Sequence, residues 1–262
     1  MDLQLKDKVA LVTAASKGLG KASAHALSRE GAKVAISARS DLLDAAAGEI
    51  RQDTGGEVLA VRGDVTIQED IDKMVGSTLD KFGKIDILVL NAGGAKPGGF
   101  LDVDSQDWMD GVNLTLMSAV RLCYAVIPHM LDQGSGSIVA IESYSVKQPI
   151  DNLILSNSLR LAVIGFLKSL ANEFGPKGIR VNSVNPAWTW TERIQEIMKS
   201  RSAKSGLSIE EETANVINPL PLKRLGTVEE FGNTVAWIAS PAAGFVHGHA
   251  LMIDGGGVKT PL

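Results

Sequence analysis

Cysteine is nearly missing from this 262-residue chain, and a single one, Cys123, excludes an internal disulfide and any multi-cysteine metal centre. It falls in the apolar run Leu122-Cys123-Tyr124-Ala125-Val126-Ile127 and reads as a packing residue, not a nucleophile. Aromatics are scarce at 5%, and the four histidines show no His-Glu-x-x-His spacing. His247 and His249 stand two apart, two ligands without a third, and read as a surface or interface pair. No metal is expected. Charge of one sign is missing too: 26 Lys plus Arg against 30 Asp plus Glu leave −4, which removes bulk attraction to nucleic acid or an anionic membrane. No uninterrupted apolar run approaches the ~18 residues of a membrane helix. Met1 to Lys8 alternates charged and apolar residues and lacks the basic and hydrophobic segments of a leader. These absences predict a cytoplasmic, soluble protein with no nucleic-acid or membrane partner.

What is present is an alternation. Short β-rich apolar runs at 9–13, 33–37, 58–61, 85–90, 137–141, 179–184 and 250–253 read as seven strands. Amphipathic stretches at 22–30, 67–82, 105–130, 153–174 and 228–238 read as helices between them. Each helical crossover returns the chain to the same end of the sheet, so the strands pair in parallel. The expected fold is α/β: a single-domain Rossmann fold over 1–262, a doubly wound seven-stranded parallel sheet between helices, with ligands at the carboxyl ends of the strands. One segment breaks the rhythm, about 188–222, rich in charge and closed by Pro219-Leu220-Pro221; it reads as a lid.

Directly after the first strand comes Thr13-Ala14-Ala15-Ser16-Lys17-Gly18-Leu19-Gly20, then a helix beginning near Lys21. A glycine pair at the first strand-to-helix junction lets a pyrophosphate approach free N–H groups at the helix end. Here the chain resembles the short-chain dehydrogenase/reductase family, whose fingerprint at this position is Thr-Gly-x-x-x-Gly-x-Gly, with Ala14 in place of the first Gly. The resemblance covers nearly the whole chain. Asp64-Val65 resembles the adenine-contacting position and Asn91-Ala92-Gly93 the Asn-Asn-Ala-Gly motif, with Leu90 for its first Asn. Gly111-Val112-Asn113-Leu114 is similar to the segment carrying the family's active-site Asn. Asn185-Pro186 followed by Thr191 resembles the loop that holds the nicotinamide amide. Leu251 to Gly256 closes the chain as in many members. The resemblance implies Thr13, Ser16, Lys17, Gly18, Leu19, Gly20, Asp64, Val65, Asn91, Ala92, Gly93, Pro186 and Thr191 as cofactor contacts. An NAD site offers a carboxylate after the second strand, whereas a 2′-phosphate needs cations. This chain has Ser37-Ala38-Arg39-Ser40 there and adds Lys17, so NADP(H) is the preferred cofactor and NAD(H) the other possibility.

At the reaction end the family uses a Ser, a Tyr-x-x-x-Lys pair and an Asn. Ser143 fits the serine and Asn113 the asparagine, but the pair reads Ser156-Asn157-Ser158-Leu159-Arg160. A serine hydroxyl is a far weaker acid than a phenol, and Arg is permanently protonated, so Arg160 can hold a ribose but cannot relay a proton. Ser156 is either a site hydroxyl or a small residue leaving room for substrate. Tyr144, beside Ser143, is either the proton donor or an aromatic wall. Members of a minority subgroup share this Leu-Ser-Asn-x-x-Arg pattern and resemble 3-oxoacyl reductases.

The resemblance therefore implies an oxidoreductase interconverting a carbonyl and an alcohol on a small molecule, with an unusual proton path. Two other readings stay open: a non-redox lyase or dehalogenase-like enzyme, and a non-catalytic NADP-binding protein. The substrate pocket is expected from residues 94–100 and 144–152 and the lid, walled by Trp188 and Trp190, with no cation cluster to mark a carboxylate or phosphate substrate. The two long helices at 105–130 and 153–174 carry more apolar positions than one sheet face needs. The family pairs such helices across a two-fold axis, so a homodimer or homotetramer is expected.

Overall fold

The structure, a computed structural model, describes residues 1–260. Seven strands form one parallel sheet: β1 (Val9–Val12), β2 (Lys33–Ala38), β3 (Val58–Arg62), β4 (Ile87–Leu90), β5 (Gly136–Ile141), β6 (Ile179–Pro186) and β7 (Ala250–Ile253), in spatial order β3-β2-β1-β4-β5-β6-β7. The order reverses between β1 and β4, and this switch point opens a crevice at the carboxyl ends of the strands. β1 and β4 are buried on both faces, which is why they read as unbroken apolar runs. Alternate residues feed two cores. Ala10, Val12, Ile87 and Val89 pack on one side of the sheet, and Leu11, Leu88 and Leu90 on the other.

The first core is covered by α1 (Gly18–Arg29), α2 (Leu43–Thr54) and α9 (Val228–Ala239). α2, not among the helices expected above, buries Leu43, Ala46, Ala47 and Ile50 at helical spacing. The second core is covered by α3 (Gln68–Phe82), α5 (Ser118–Gln133) and α6 (Ile154–Phe174). Cys123 is among its buried residues, and desolvation pushes its thiol up to about 12. The single helix expected over 105–130 is instead α4 (Ser105–Gly111), a π-helical turn at Val112–Met117, and α5. A wide turn at this point changes where Asn113 faces, with consequences below.

Two helical stretches, Ser105–Gln133 and Ile154–Lys177, are long and apolar enough by length and composition to cross a membrane, with mean hydropathy 1.4 and 1.3. Counting uninterrupted runs alone misses them, because scattered charges break each run. Both lay one side on the sheet through residues such as Leu122, Val126, Val163 and Leu167. The segment after β6 forms a hairpin of α7 (Glu192–Ser205) and α8 (Ile209–Ile217) before the chain reaches α9.

Arg180 joins the far end of the sheet to the end of α9. Its guanidinium donates to the carbonyls of Ile238, Ala239 and Ser240 at 2.9 Å each, satisfying acceptors a helix end leaves open. His247 makes a second tie. Its Nδ1 accepts from the Val181 N–H at 3.2 Å and its Nε2 meets the Ala171 carbonyl at 2.8 Å. It bridges β6 and α6, and both His247 and His249 are exposed, as expected of a surface pair.

Candidate active site

A cleft of about 780 Å³ lies over the switch point, lined from the turn after β1 round to α7. Its floor is the 13–20 turn. Thr13 is fully buried; its hydroxyl donates to the Asn91 carbonyl at 2.7 Å and accepts from the Asn91 N–H at 3.0 Å. The Asn91 side-chain amide in turn donates to the Ala14 carbonyl at 3.1 Å. Thr13 therefore clamps the turn to the end of β4 and is not part of the cleft lining.

Gly20 does the same by its size. A Cβ there would sit 2.6 Å from Asn91 Nδ2 and 2.7 Å from the Ala14 carbonyl, so any side chain would push the turn off the strand. Gly18 opens α1 at φ +58°, a left-handed backbone that glycine takes without strain. Ala14, which stands where the fingerprint has Gly, is also left-handed at φ +48°. The turn keeps the glycine-type backbone despite the substitution. Ala14→Gly is thus expected to stabilise the fold by roughly 0.5–1 kcal/mol, read as a higher midpoint in urea unfolding; an unchanged or lower midpoint would contradict the strain.

The turn suits a phosphate. Lys17 stands at the start of α1 with no side chain bonded back to the helix N–H groups, and no acid occupies the first turn. Ser16, Lys17, Gly18 and Leu19 all face the cleft. Arg39 and Asp64 line its outer end, with Arg39 Nη1 donating to Asp64 Oδ2 at 3.1 Å and the Arg39 side chain 78% exposed. Burial pushes the Asp64 carboxyl up, but the Thr66 N–H and hydroxyl and the Arg39 guanidinium together hold it below its ordinary value. Val65, Ala92, Gly93, Pro186 and Thr191 complete this half. The Thr191 hydroxyl also caps α7 by accepting from the Ile194 N–H at 3.3 Å.

The reaction end sits over β5 and α6. Ser143 follows β5 in extended conformation, and its Oγ accepts from the Ser145 N–H at 3.1 Å. That bond orients the oxygen and leaves the hydroxyl proton free to donate into the cleft. Tyr144 and Ser156 line the same space. Burial pushes the Tyr144 phenol up, opposed by the nearby Trp188 indole and by the charge of Arg201. Asn157 braces the adjoining loop, since its side chain both accepts from the Ile150 N–H at 3.1 Å and donates to the Ile150 carbonyl at 2.9 Å.

Arg160 reaches the cleft from α6, but it has a partner not foreseen from spacing. Its Nη1 donates to Glu142 Oε2 at 3.1 Å and to the Ile141 carbonyl at 3.3 Å. The Glu142 carboxyl is buried, and desolvation pushes it up to about 7 against the pull of Arg160. A carboxyl raised above its unfolded value favours the fold fully below about 4.5, and this stability is lost as pH rises through 7. The wild type is therefore expected to lose on the order of 1–3 kcal/mol more than Glu142→Gln between pH 5 and pH 8, measured by urea unfolding. Parallel pH profiles for the two proteins would refute it.

At the reaction end, Asn113 is the expected residue that the structure does not bring to the cleft, as Thr13 and Gly20 are at the cofactor end. In the π-helical turn its Oδ1 accepts from Arg121 Nη1 at 2.7 Å, and Leu114 faces the cleft in its stead. The expectation of no cation cluster is also overturned. Arg193, Arg201 and Lys204 of α7 line the cleft, at a helical spacing that was readable once the helix was known.

Residues 13–257 match the family model described as enoyl-(acyl carrier protein) reductase. A 3-oxoacyl-[acyl-carrier-protein] reductase of Synechocystis sp. is 34% identical over 255 residues, 96% of this chain and 97% of that one. The 7alpha-hydroxysteroid dehydrogenase of Escherichia coli is 31% identical over 259 residues, 98% of this chain and 97% of that one. L-sorbose reductase from Gluconobacter frateurii, solved with NADPH and L-sorbose, superposes with a TM-score of 0.95 at 33% identity, covering 99% of this chain and 100% of that one. With the family model matched over residues 13–257 and a relative 34% identical along nearly the full length of both chains, the chain belongs to the short-chain dehydrogenase/reductase family.

Proposed function

We propose that the protein is an NADP(H)-dependent oxidoreductase that interconverts a carbonyl and an alcohol on a small molecule. The observation that carries this reading is Ser143. Its hydroxyl is held by Ser145 and free to donate in the same cleft that the uncapped start of α1 enters. The residues fit the dinucleotide. The α1 turn with Lys17 receives the pyrophosphate, and Arg39 receives the 2′-phosphate. Asp64 and Val65 flank the adenine, while Asn91 to Gly93, Pro186 and Thr191 border the nicotinamide half. When bound, the cofactor supplies or accepts the hydride.

The chain's own groups do the rest. Ser143 donates to the carbonyl oxygen and stabilises the charge that develops there. Arg160, steadied by Glu142, holds the ribose hydroxyls as a fixed cation and passes no proton. Tyr144 is the proton donor of this proposal, and Ser156 is a small site hydroxyl beside it. The α7–α8 hairpin acts as a lid that excludes water from the reaction end. Asn113, bonded to Arg121, acts from behind the site. A panel of ketones and alcohols followed by NADPH absorbance, with parallel NADPH and NADH titrations, tests the reading. Tight NADPH binding without turnover of any compound would turn it to a non-catalytic NADP-binding protein.

We further infer a soluble, cytoplasmic homo-oligomer, a dimer or tetramer. The outer faces of α5 and α6 leave Tyr124 78% and Leu161 52% exposed, apolar surface a second copy would cover. Light scattering at micromolar concentration is expected to give at least twice the 27.7 kDa chain mass; a monomer would reject it.

A further inference from the structure

The cleft side of α7 carries a row of cations that neither the fold nor the cofactor accounts for. Arg193, Ile197, Arg201 and Lys204 all line the cleft, and at 100° per residue they share an arc of roughly 80° on one face of the helix. Lys199 falls on the opposite side of the helix and Glu196 roughly 60° beyond Arg193, and both are absent from the lining. None of the three cleft cations is ion-paired or hydrogen-bonded through its side chain among the described residues. By contrast, Arg39 and Arg160 in the same cleft are matched with Asp64 and Glu142 at 3.1 Å each.

Their positions span the reaction end. The Arg193 guanidinium lies beside Gly94, whose Cβ, if present, would be 3.8 Å from Nη2. The Arg201 guanidinium lies over the Trp188 ring at 5.4 Å, close enough to Tyr144 to act on its phenol. Of the cleft's other acids, Glu192 sits at the opposite end with Oε2 beside Gly18, which leaves Asp151 as the acid facing the row near Tyr144. Counting Glu192, which adjoins Arg193 in the chain, together with Asp151, three cations against two carboxylates leave an excess of positive charge along the α7 side of the cleft. All three side chains are exposed and stay hydrated while the cleft is open, and an oxyanion seated there meets two arginines with charge-assisted hydrogen bonds.

We propose that α7 is the anion-recognition element of the substrate site, and that the substrate is a carbonyl or alcohol compound bearing a carboxylate or phosphate group. This rests on the oxidoreductase reading of the same cleft. It deepens that reading by naming the substrate class.

Calorimetry on the NADP⁺-loaded protein tests it with two matched pairs, dihydroxyacetone phosphate against dihydroxyacetone and levulinate against methyl levulinate. In at least one pair the anion is expected to bind about tenfold or more tightly than its neutral partner. The pair with the larger ratio identifies phosphate or carboxylate. The advantage should shrink toward about 0.5 M salt. It should vanish in the double variant Arg201→Gln, Lys204→Gln with NADPH affinity unaltered, and return in part in Arg201→Lys. Equal binding within both pairs, no binding of any of the four, or loss of NADPH affinity in step with the variant would overturn the assignment. Turnover of neutral ketones without an anion preference would reject the role of α7 and leave the oxidoreductase reading standing. An anion preference in calorimetry with no NADPH consumed by any carbonyl would reject the oxidoreductase reading and leave the anion site.

Discussion

Ser143→Ala is expected to lower kcat by about two to three orders of magnitude while leaving NADPH affinity in place. That is the usual cost of removing one donor to an oxyanion that forms in the transition state. Two features support Ser143 as the donor to the oxyanion in the proposed reaction. The Ser145 N–H occupies its oxygen from one side, so its proton points away to an acceptor, and the phenol expected one helical turn before the basic residue of α6 is here the weak acid Ser156. The other substitutions separate the roles. Tyr144→Phe should lower kcat with little change in NADPH affinity, because only the hydroxyl is lost and the ring wall stays. Arg160→Ala should act on NADPH affinity first, and Ser156→Ala should be the mildest. Steady-state kinetics beside NADPH titration reads all four. A fully active Tyr144→Phe beside a dead Ser156→Ala would move the proton donor to the serine or a water it holds.

Arg39→Asp is expected to weaken NADPH binding by roughly 100-fold and to strengthen NADH binding. A guanidinium contact to the 2′-phosphate is charge-assisted, and a carboxylate in its place repels the phosphate while accepting ribose hydroxyls. The local geometry favours a clean exchange. Arg39 is mostly exposed and its one acidic partner, Asp64, is also bonded to Thr66, so Asp64 keeps a folded environment when the arginine goes. Lys17 remains at the turn proposed for the pyrophosphate. Fluorescence titration of both nucleotides against wild type and variant checks the outcome. Equal affinity of the wild type for NADPH and NADH would remove the basis for the 2′-phosphate site.

Local pattern reached far in this chain because a doubly wound sheet is built from local units. The seven strands, the crossover helices other than α2 and the turn at 13–20 each follow from residues within about twenty positions of one another, and parallel pairing follows from crossover length. The sequence by itself therefore determined the fold and the two ends of the cleft. What it left open depends on residues brought together across the sheet. The Thr13 hydroxyl bonds to Asn91 from 78 positions away, so a residue that resembled a cofactor contact is a clamp. Glu142 meets Arg160 from β5 to α6, and no period in either segment announces that the cation has a buried partner. Asn113 turned to Arg121 because a π-helical turn interrupts a stretch whose apolar spacing reads as one continuous helix. The cations of α7 gained meaning only once the structure placed that helix along the cleft. A helix face is chosen by what lies opposite it, and that surface comes from strands and loops far away in the chain.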